Sequence, residues 1–427
     1  MKVFILTPYI FIENEKNFQK NKTGFALIMN DIAESLVKNN IDTYVLTQSS
    51  ITKGKYYEGL NIVKRTWIDI LLSIKLKYIN LAIKLSLKNG LNIRNISRAI
   101  FYSISGGYVE KCLREIKPDV IHIHSLSTGV IPFIKASLES NIPFIITVHG
   151  IIPDKSSSSA TDLEKNIEKN FYKISNDNNI DVTVISTGMK ERISKKYDLE
   201  KNDNINVILN GTKISKNIEF EKIDLRLKYN IPINNKILLC VGSICERKNQ
   251  IQLIRSIALL EDNVKHNITL LLLGNDNTNG LIESEINRLQ LNEIVKVCGF
   301  IDKKIINQYY NQADFNLIVS TDEGFGLSII EGFLFGLPTL TFSDLDAVKD
   351  LYDDKCMITI NDRRDESLAN AIELLCSKNW DKEYIIEYSN RFSTDSMAKK
   401  YIDLYNIVKL KNTKINQDII DKIIQCN

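Results

Sequence analysis

Nowhere do about eighteen apolar residues run uninterrupted in this chain, so no helix is expected to span a membrane. Nor does a leading segment resemble a signal peptide: Met1–Ile10 reads as one short apolar strand, and Glu13 follows. Charge of one sign is missing as well. Fifty-five Lys plus Arg stand against fifty-two Asp plus Glu, and a balance of +3 argues against a nucleic-acid partner. The seven cysteines are scattered, odd in number and without a C-x-x-C pair. They read as reduced core thiols in a cytoplasmic protein, with no zinc site.

What is present is alternation. At 427 residues there is room for two or three domains. Lys2–Tyr9 reads as a buried strand, Gly24 opens an amphipathic helix, and Thr43–Thr47 is the next strand. Val120–His124, Phe144–His149, Asp181–Ser186 and Ile205–Gly211 continue the series. A second series begins at Lys236–Gly242 and runs through Ile268–Gly274, Val295–Phe300 and Leu337–Ser343. The fold class is therefore α/β with parallel sheets, whose ligands sit at the carboxyl ends of strands. Gly24 is placed for a backbone contact to a phosphate or sugar, although no G-x-G-x-x-G follows the first strand. Residues 212–235 are polar and lysine-rich and read as the hinge.

The densest signal is Ala313–Pro338. Asp314–Ser320 reads as a strand, Thr321–Gly326 as a glycine-containing turn, and Ser328–Phe335 as a helix stopped by Gly336 and Pro338. A strand, a glycine turn and a helix start present backbone N–H groups to a phosphate. Glu323 in the turn and Glu331 on the helix are carboxylates able to accept hydrogen bonds from the diols of a ribose and a sugar. A water-exposed loop glutamate and a dipole-favoured helix glutamate are the plain alternative. Upstream, Arg247 and Lys248 follow a glycine-ended strand, where side-chain charge and helix dipole act together on a diphosphate.

Ser320, Glu323, Gly324, Phe325, Gly326, Leu327, Glu331, Gly336 and Pro338 together resemble the E-x7-E motif of the retaining glycosyltransferases of family 4. Lys117-Pro118-Asp119 with His122 and His124, and Ile142-Pro143 with Thr147, His149 and Gly150, resemble two stretches of the same family. Lys248 matches the family's lysine; Ser243 and Asn249 stand where arginine and glycine are common, and Arg247 is the neighbouring substitute. The resemblance implies a GT-B architecture, two Rossmann-like domains facing across a cleft. Residues 1–212 would be the acceptor domain, 236–394 the nucleotide-sugar domain, and 395–427 helices crossing back to the first.

The implied activity is retaining transfer of a sugar from a nucleotide diphosphate sugar, UDP ahead of GDP. The acceptor would be a glycan, a lipid-linked molecule or a protein, in bacterial surface polysaccharide or glycoconjugate synthesis. No cofactor is required. Glu323, His149 and Lys248 would act at the transferred group. Gly24, Arg247, Lys248, Phe300, Glu323, Gly324, Phe325, Gly326, Leu327 and Glu331 would hold the nucleotide sugar. Asn210 and Gly211 resemble the pair that closes the first domain, on the hinge or acceptor side. A non-catalytic partner of the same fold, and a nucleotide-sugar epimerase, are the competing readings.

Three features stand beside this frame. His122, His124 and His149 are three of only four histidines, without the acid or thiol neighbours of a metal site. His149 reads either as a contact to the sugar or as a buried histidine bonded to backbone. Asp344-Leu345-Asp346 reads as a surface triplet rather than a cation site. Trp67–Cys112 forms a basic amphipathic insertion, with Leu76, Ile79, Ile83 and Leu87 at helical spacing and lysines between them. It reads either as a helix lying on an anionic membrane surface, on the inner face of the cell membrane, or as an ordinary helix with a solvated cationic face. Ile151–Thr161, with Ser156–Ser159, reads as a mobile loop, either a lid or a segment facing the acceptor.

Overall fold

The computed structural model of the chain describes residues 1–12, 23–48, 55–57, 59–88, 93–152, 160–178, 180–199, 202–213, 223–411 and 419–425. It divides into two units, Met1–Gly211 with Thr394–Asn427, and Thr212–Ser393. The loop residues 153–159 and the hinge residues 214–222 lie outside the described set. No described helix is long and apolar enough to cross a membrane.

In the first unit the apolar runs become β1 (Lys2–Thr7), β2 (Asp42–Thr47), β3 (Lys55–Tyr57), β4 (Leu60–Ile62), β5 (Val120–His124), β6 (Phe144–Val148), β7 (Val182–Val184) and β8 (Ile205–Val207). Their order is β3-β4-β2-β1-β5-β6-β7-β8, parallel except for the edge pair β3–β4. β5 and β6 are buried along their whole lengths, as strands covered on both faces must be. The order turns back between β1 and β5, the kind of position where an α/β sheet opens a crevice at its carboxyl edge.

The second unit holds β9 (Lys236–Val241), β10 (Ile268–Leu273), β11 (Val295–Gly299), β12 (Phe315–Ile318), β13 (Thr339–Phe342) and β14 (Met357–Ile360), all parallel. Their order, β11-β10-β9-β12-β13-β14, turns back between β9 and β12. Part of the segment read as a hinge belongs to this unit. Leu225–Tyr229 is a helix, and Leu225 and Ile231 are buried in the same core as Tyr309, Tyr310 and Leu337.

The Thr394–Leu410 helix returns to the first unit. Its Met397, Tyr401, Leu404, Tyr405 and Val408 share a core with β1 and with helix α1 (Gly24–Lys38).

The insertion is four helices: α2 (Trp67–Leu71), α3 (Leu76–Lys88), α4 (Ile93–Ile104) and α5 (Gly106–Ile116). Thr66 and Asp69 form a capping box that starts α2. The packed face of α3 differs from the face the spacing suggests. Tyr78, Leu81, Ala82 and Leu85 are buried, whereas Leu76, Ile79, Ile83 and Leu87 are exposed. Both sets recur at helical spacing, and only the neighbours decide between them. Those neighbours are polar as well as apolar: Lys75, Lys77 and the Tyr78 hydroxyl converge on Glu110 of α5. Burial raises the Glu110 pKa, but bonds from Lys75, Lys77 and Tyr78 outweigh it and hold the carboxyl down at about 2. Lys77 also pairs with Glu139, and Lys84 reaches Asp421 at 2.7 Å.

Gly106 and Gly107 let α5 close on this cluster. A Cβ at Gly107 would lie 1.9 Å from the Ser73 carbonyl oxygen, and one at Gly106 would lie 2.1 Å from the Tyr78 ring. Gly107→Ala should therefore destabilise the first unit by about 1–3 kcal/mol through overpacking. Thermal unfolding followed by circular dichroism should show a lowered first transition; an unchanged melt would contradict the packing.

Candidate active site

β9 and β12 are the two strands at the second sheet's reversal, and the residues after their carboxyl ends meet. After β9 come Gly242 and a single 3-10 turn, Glu246–Lys248. Asn249 then adopts a left-handed conformation (φ 57°) before the Gln250–Ala258 helix begins. The basic pair thus occupies its own turn rather than the first turn of that helix. After β12 come Ser320 and the glycine turn. Thr321 donates its backbone N–H to the Arg247 carbonyl at 2.8 Å, which ties the two loops together.

Glu323 is the hub of this cluster. Its Oε1 accepts from Lys248 Nζ, from Ser320 Oγ at 2.8 Å, and lies 3.3 Å from Arg247 Nη1. Arg247 also donates to the Asp322 carbonyl at 2.8 Å. The Lys248 and Glu323 side chains are only 16% and 12% exposed, while Arg247 is half exposed. Charged groups this enclosed are held in fixed positions and feel weaker screening than surface pairs.

Two glycines make room for the lysine. Gly242 (φ 141°) would place a Cβ 3.1 Å from Lys248 Cε, and Gly274 (φ 149°), after β10, would place one 2.1 Å from the Gly242 carbonyl oxygen. Any side chain at either position would push the lysine or the strand end aside.

The turn ends at Gly326 (φ 68°), the N-cap of the Leu327–Leu334 helix. The first N–H groups of that helix have no partner within it and mark an anion-favouring end. Phe325 is buried beneath the turn, and Gly324 precedes it. Glu331 lies one turn further along the helix, where its Oε2 accepts from the Tyr310 hydroxyl at 3.0 Å. Tyr310 is buried and stacks on Phe335, which fixes its hydroxyl. Phe300, just past Gly299 (φ 69°), is 57% exposed at the end of β11.

Sequence reading missed Tyr310 and Arg363. Arg363 donates to the Ser320 carbonyl at 3.1 Å, grips Asp344 with two bonds of 2.7 and 3.0 Å, and lies over the Phe342 ring. Asp344, the first acid of the triplet, is thereby engaged by a guanidinium. Neither contact has a local signal, since Arg363 is 43 positions from Ser320.

The first unit gathers its histidines at the β5 and β6 ends. His149 Nε2 lies 3.1 Å from His124 Nδ1, and the Phe25 ring meets His149 edge to face. His122 is bonded on both sides, to the Tyr405 hydroxyl and to Thr147 Oγ1, each at 2.6 Å. Burial holds the His149 pKa down at about 3 and the other two well below their ordinary 6.5. All three are neutral imidazoles at pH 7. Gly24 opens α1 behind Thr23, whose side chain caps the Ala26 N–H; a Cβ at Gly24 would meet nothing within 4 Å. Asn210 is buried, and the Gly211 N–H points at Met397 Sδ, where the first unit ends.

A family model for glycosyl transferases group 1 matches residues 221–392, and one for glycosyltransferase family 4 matches residues 24–216. The chain belongs to the GT-B glycosyltransferases of family 4. An uncharacterized glycosyltransferase of Methanocaldococcus jannaschii is 24% identical over 339 residues, covering 75% of this chain and 85% of that protein. An O-antigen biosynthesis glycosyltransferase of Escherichia coli, WclY, is 25% identical over 204 residues, 47% of this chain and 55% of the relative. Among solved structures, Anabaena HepE in complex with UDP-glucose superposes with a TM-score of 0.64 at 16% identity, over 95% of this chain and all of that one. Glycosyltransferases of this family use nucleotide sugar donors.

Proposed function

We propose that the protein transfers a sugar, with retention at the anomeric carbon, from a UDP-sugar to a glycan or lipid-linked acceptor in surface polysaccharide or glycoconjugate synthesis. The observation that carries this reading is the Lys248–Glu323–Arg247 cluster beside the N-terminus of the helix that bears Glu331. UDP rests on the HepE complex, and the polysaccharide setting on the O-antigen relative. An acceptor carried on a lipid would bring the enzyme to the inner face of the cell membrane.

Lys248, Arg247 and the amides after Gly326 would take the diphosphate and neutralise the charge that grows on it as the glycosidic bond breaks. Glu323, once shared with the ligand, would accept from a hydroxyl of the transferred sugar. Glu331, oriented by Tyr310, would accept from the ribose diol, and Phe300 would lie against the base. His149, neutral, would offer a sugar hydroxyl a hydrogen bond rather than a charge.

The test is a donor panel of UDP- and GDP-sugars, read as ligand-induced thermal shift and as nucleotide release with and without acceptor. Glu331→Ala should weaken donor binding by about 1–3 kcal/mol, raising KM roughly five- to 150-fold for the nucleotide sugar. The variant should stay folded, because Tyr310 remains stacked on Phe335. Undiminished donor affinity in this variant would remove Glu331 from the ribose.

A further inference from the structure

The described surface exposes twenty large apolar side chains, and nine of them fall between Trp67 and Leu87. Trp67, Ile68 and Leu71 project from α2, and Leu72, at its C-cap, is 82% exposed. Leu76, Ile79, Ile83 and Leu87 continue as a single stripe along α3, on the side away from its buried Tyr78, Leu81 and Leu85. A 13-residue helix makes this stripe about 20 Å long. Monomeric surfaces rarely leave so continuous an apolar patch uncovered.

Charge decides what covers it. From Trp67 to Ile104 the sequence has six Lys or Arg and a single acid, Asp69. Asp69 is spent on the α2 capping box and its side chain is only 15% exposed. Lys77 and Lys84 border the stripe. Although each is ion-paired, to Glu110 and Glu139 or to Asp421, they remain 39% and 49% exposed. A second copy packed on this face would set Lys77 and Lys84, each still partly open to solvent, against their own counterparts. An anionic bilayer supplies both an apolar layer for the leucines and isoleucines and headgroup charge for the lysines, and a tryptophan at the border suits the headgroup level.

We infer that the outward face of α2 and α3 is a docking surface for an anionic phospholipid bilayer, with Leu72, Leu76, Ile79 and Ile83 entering the acyl boundary. This deepens the reading of a membrane-proximal acceptor and rests on it for the protein's place in the cell. The packed side of α3 takes no part, so docking needs no unfolding of the insertion.

The experiment floats the 427-residue chain with vesicles of phosphatidylglycerol and phosphatidylcholine, with vesicles of phosphatidylcholine alone, and without vesicles. Two variants are compared with the parent: Leu72→Glu combined with Ile79→Glu, and Leu227→Glu at an equally exposed position in the second unit. The parent should float with the anionic vesicles and at least tenfold less with phosphatidylcholine. The double variant should lose at least tenfold of its vesicle-bound fraction, while Leu227→Glu behaves as the parent. Light scattering after gel filtration is run in parallel. No flotation of the parent would overturn the inference. So would a parent dimer that the double variant dissolves, since a second copy would then be the occupant. Transfer to a soluble acceptor is read separately: the double variant should keep it, and a chain that floats without transferring sugar would count against the catalytic reading and not against the docking face.

Discussion

Lys248→Ala should lower the transfer rate by about 10²–10³-fold, the size of effect seen when one fixed donor is withdrawn from developing negative charge. The lysine sits where few alternatives can replace it. Its ammonium is largely enclosed, held by Glu323, and backed by two glycines that leave no space for a detour. Gly242→Ala should therefore act as a second, indirect probe. The added methyl would press on Lys248 Cε at 3.1 Å and force an L-residue to φ 141°, costing activity without removing any charged group. Stability should separate these effects from unfolding. In Lys248→Ala, Glu323 keeps Ser320 Oγ at 2.8 Å and Arg247 at 3.3 Å, so the carboxylate is not left alone and the melting temperature should move little. A Lys248→Ala protein that melts normally and transfers sugar at the parent rate would place the diphosphate elsewhere.

The parallel sheets were legible because their strands are buried on both faces. Ile237–Val241, Ile268–Leu273 and Phe144–Val148 are near-continuous apolar runs that end at a glycine or histidine. The sheet order then does further work that the motif alone does not. The reversal between β9 and β12 brings Lys248 beside Glu323 across 75 positions, so two signals read separately belong to one site. Short strands toward the sheet margins were not legible. β4 spans only Leu60–Ile62, β14 only Met357–Ile360, and neither carries a run long enough to stand out. The orientation of α3 was misleading for a different reason. Its sequence supports two apolar stripes, and the buried one is chosen by partners on α4 and α5 and by the Glu110 cluster. The bond between His122 and Tyr405 joins residues 283 positions apart and was beyond any local pattern.

Those histidines carry the other large expected effect, acid destabilisation that begins near pH 6.5. His122 is fully enclosed, with Tyr405 on Nδ1 and Thr147 on Nε2, and its ring lies 3.8 Å from that of His124. Between His124 Nδ1 and His149 Nε2 only one proton fits, since one nitrogen must accept. A second proton would set N–H against N–H, and charge on any ring would be buried beside its neighbours. Burial of the charged ring, above all, lowers all three pKa values, His149 to about 3. The unfolded chain binds these protons below about 6.5 and the folded chain refuses them, so stability is complete above pH 6.5 and falls as pH drops toward the folded pKa values. Each refused proton contributes about 1.4 kcal/mol per pH unit below the unfolded pKa, so the three rings steepen the same fall together. Glu110 responds in a separate window: its carboxyl is depressed from 4.5 to about 2, so its contribution is lost only as pH falls below about 4.5. Thermal unfolding of the full chain from pH 7.5 to 4.5 should show the first unit's transition falling steeply once pH drops below 6.5. His124→Gln, which removes one imidazole and relieves the clash with His149, should flatten that fall by about a third or more. A transition that stays level down to pH 5 in the parent would mean that the three rings accept protons in the folded state and are not buried as neutral imidazoles.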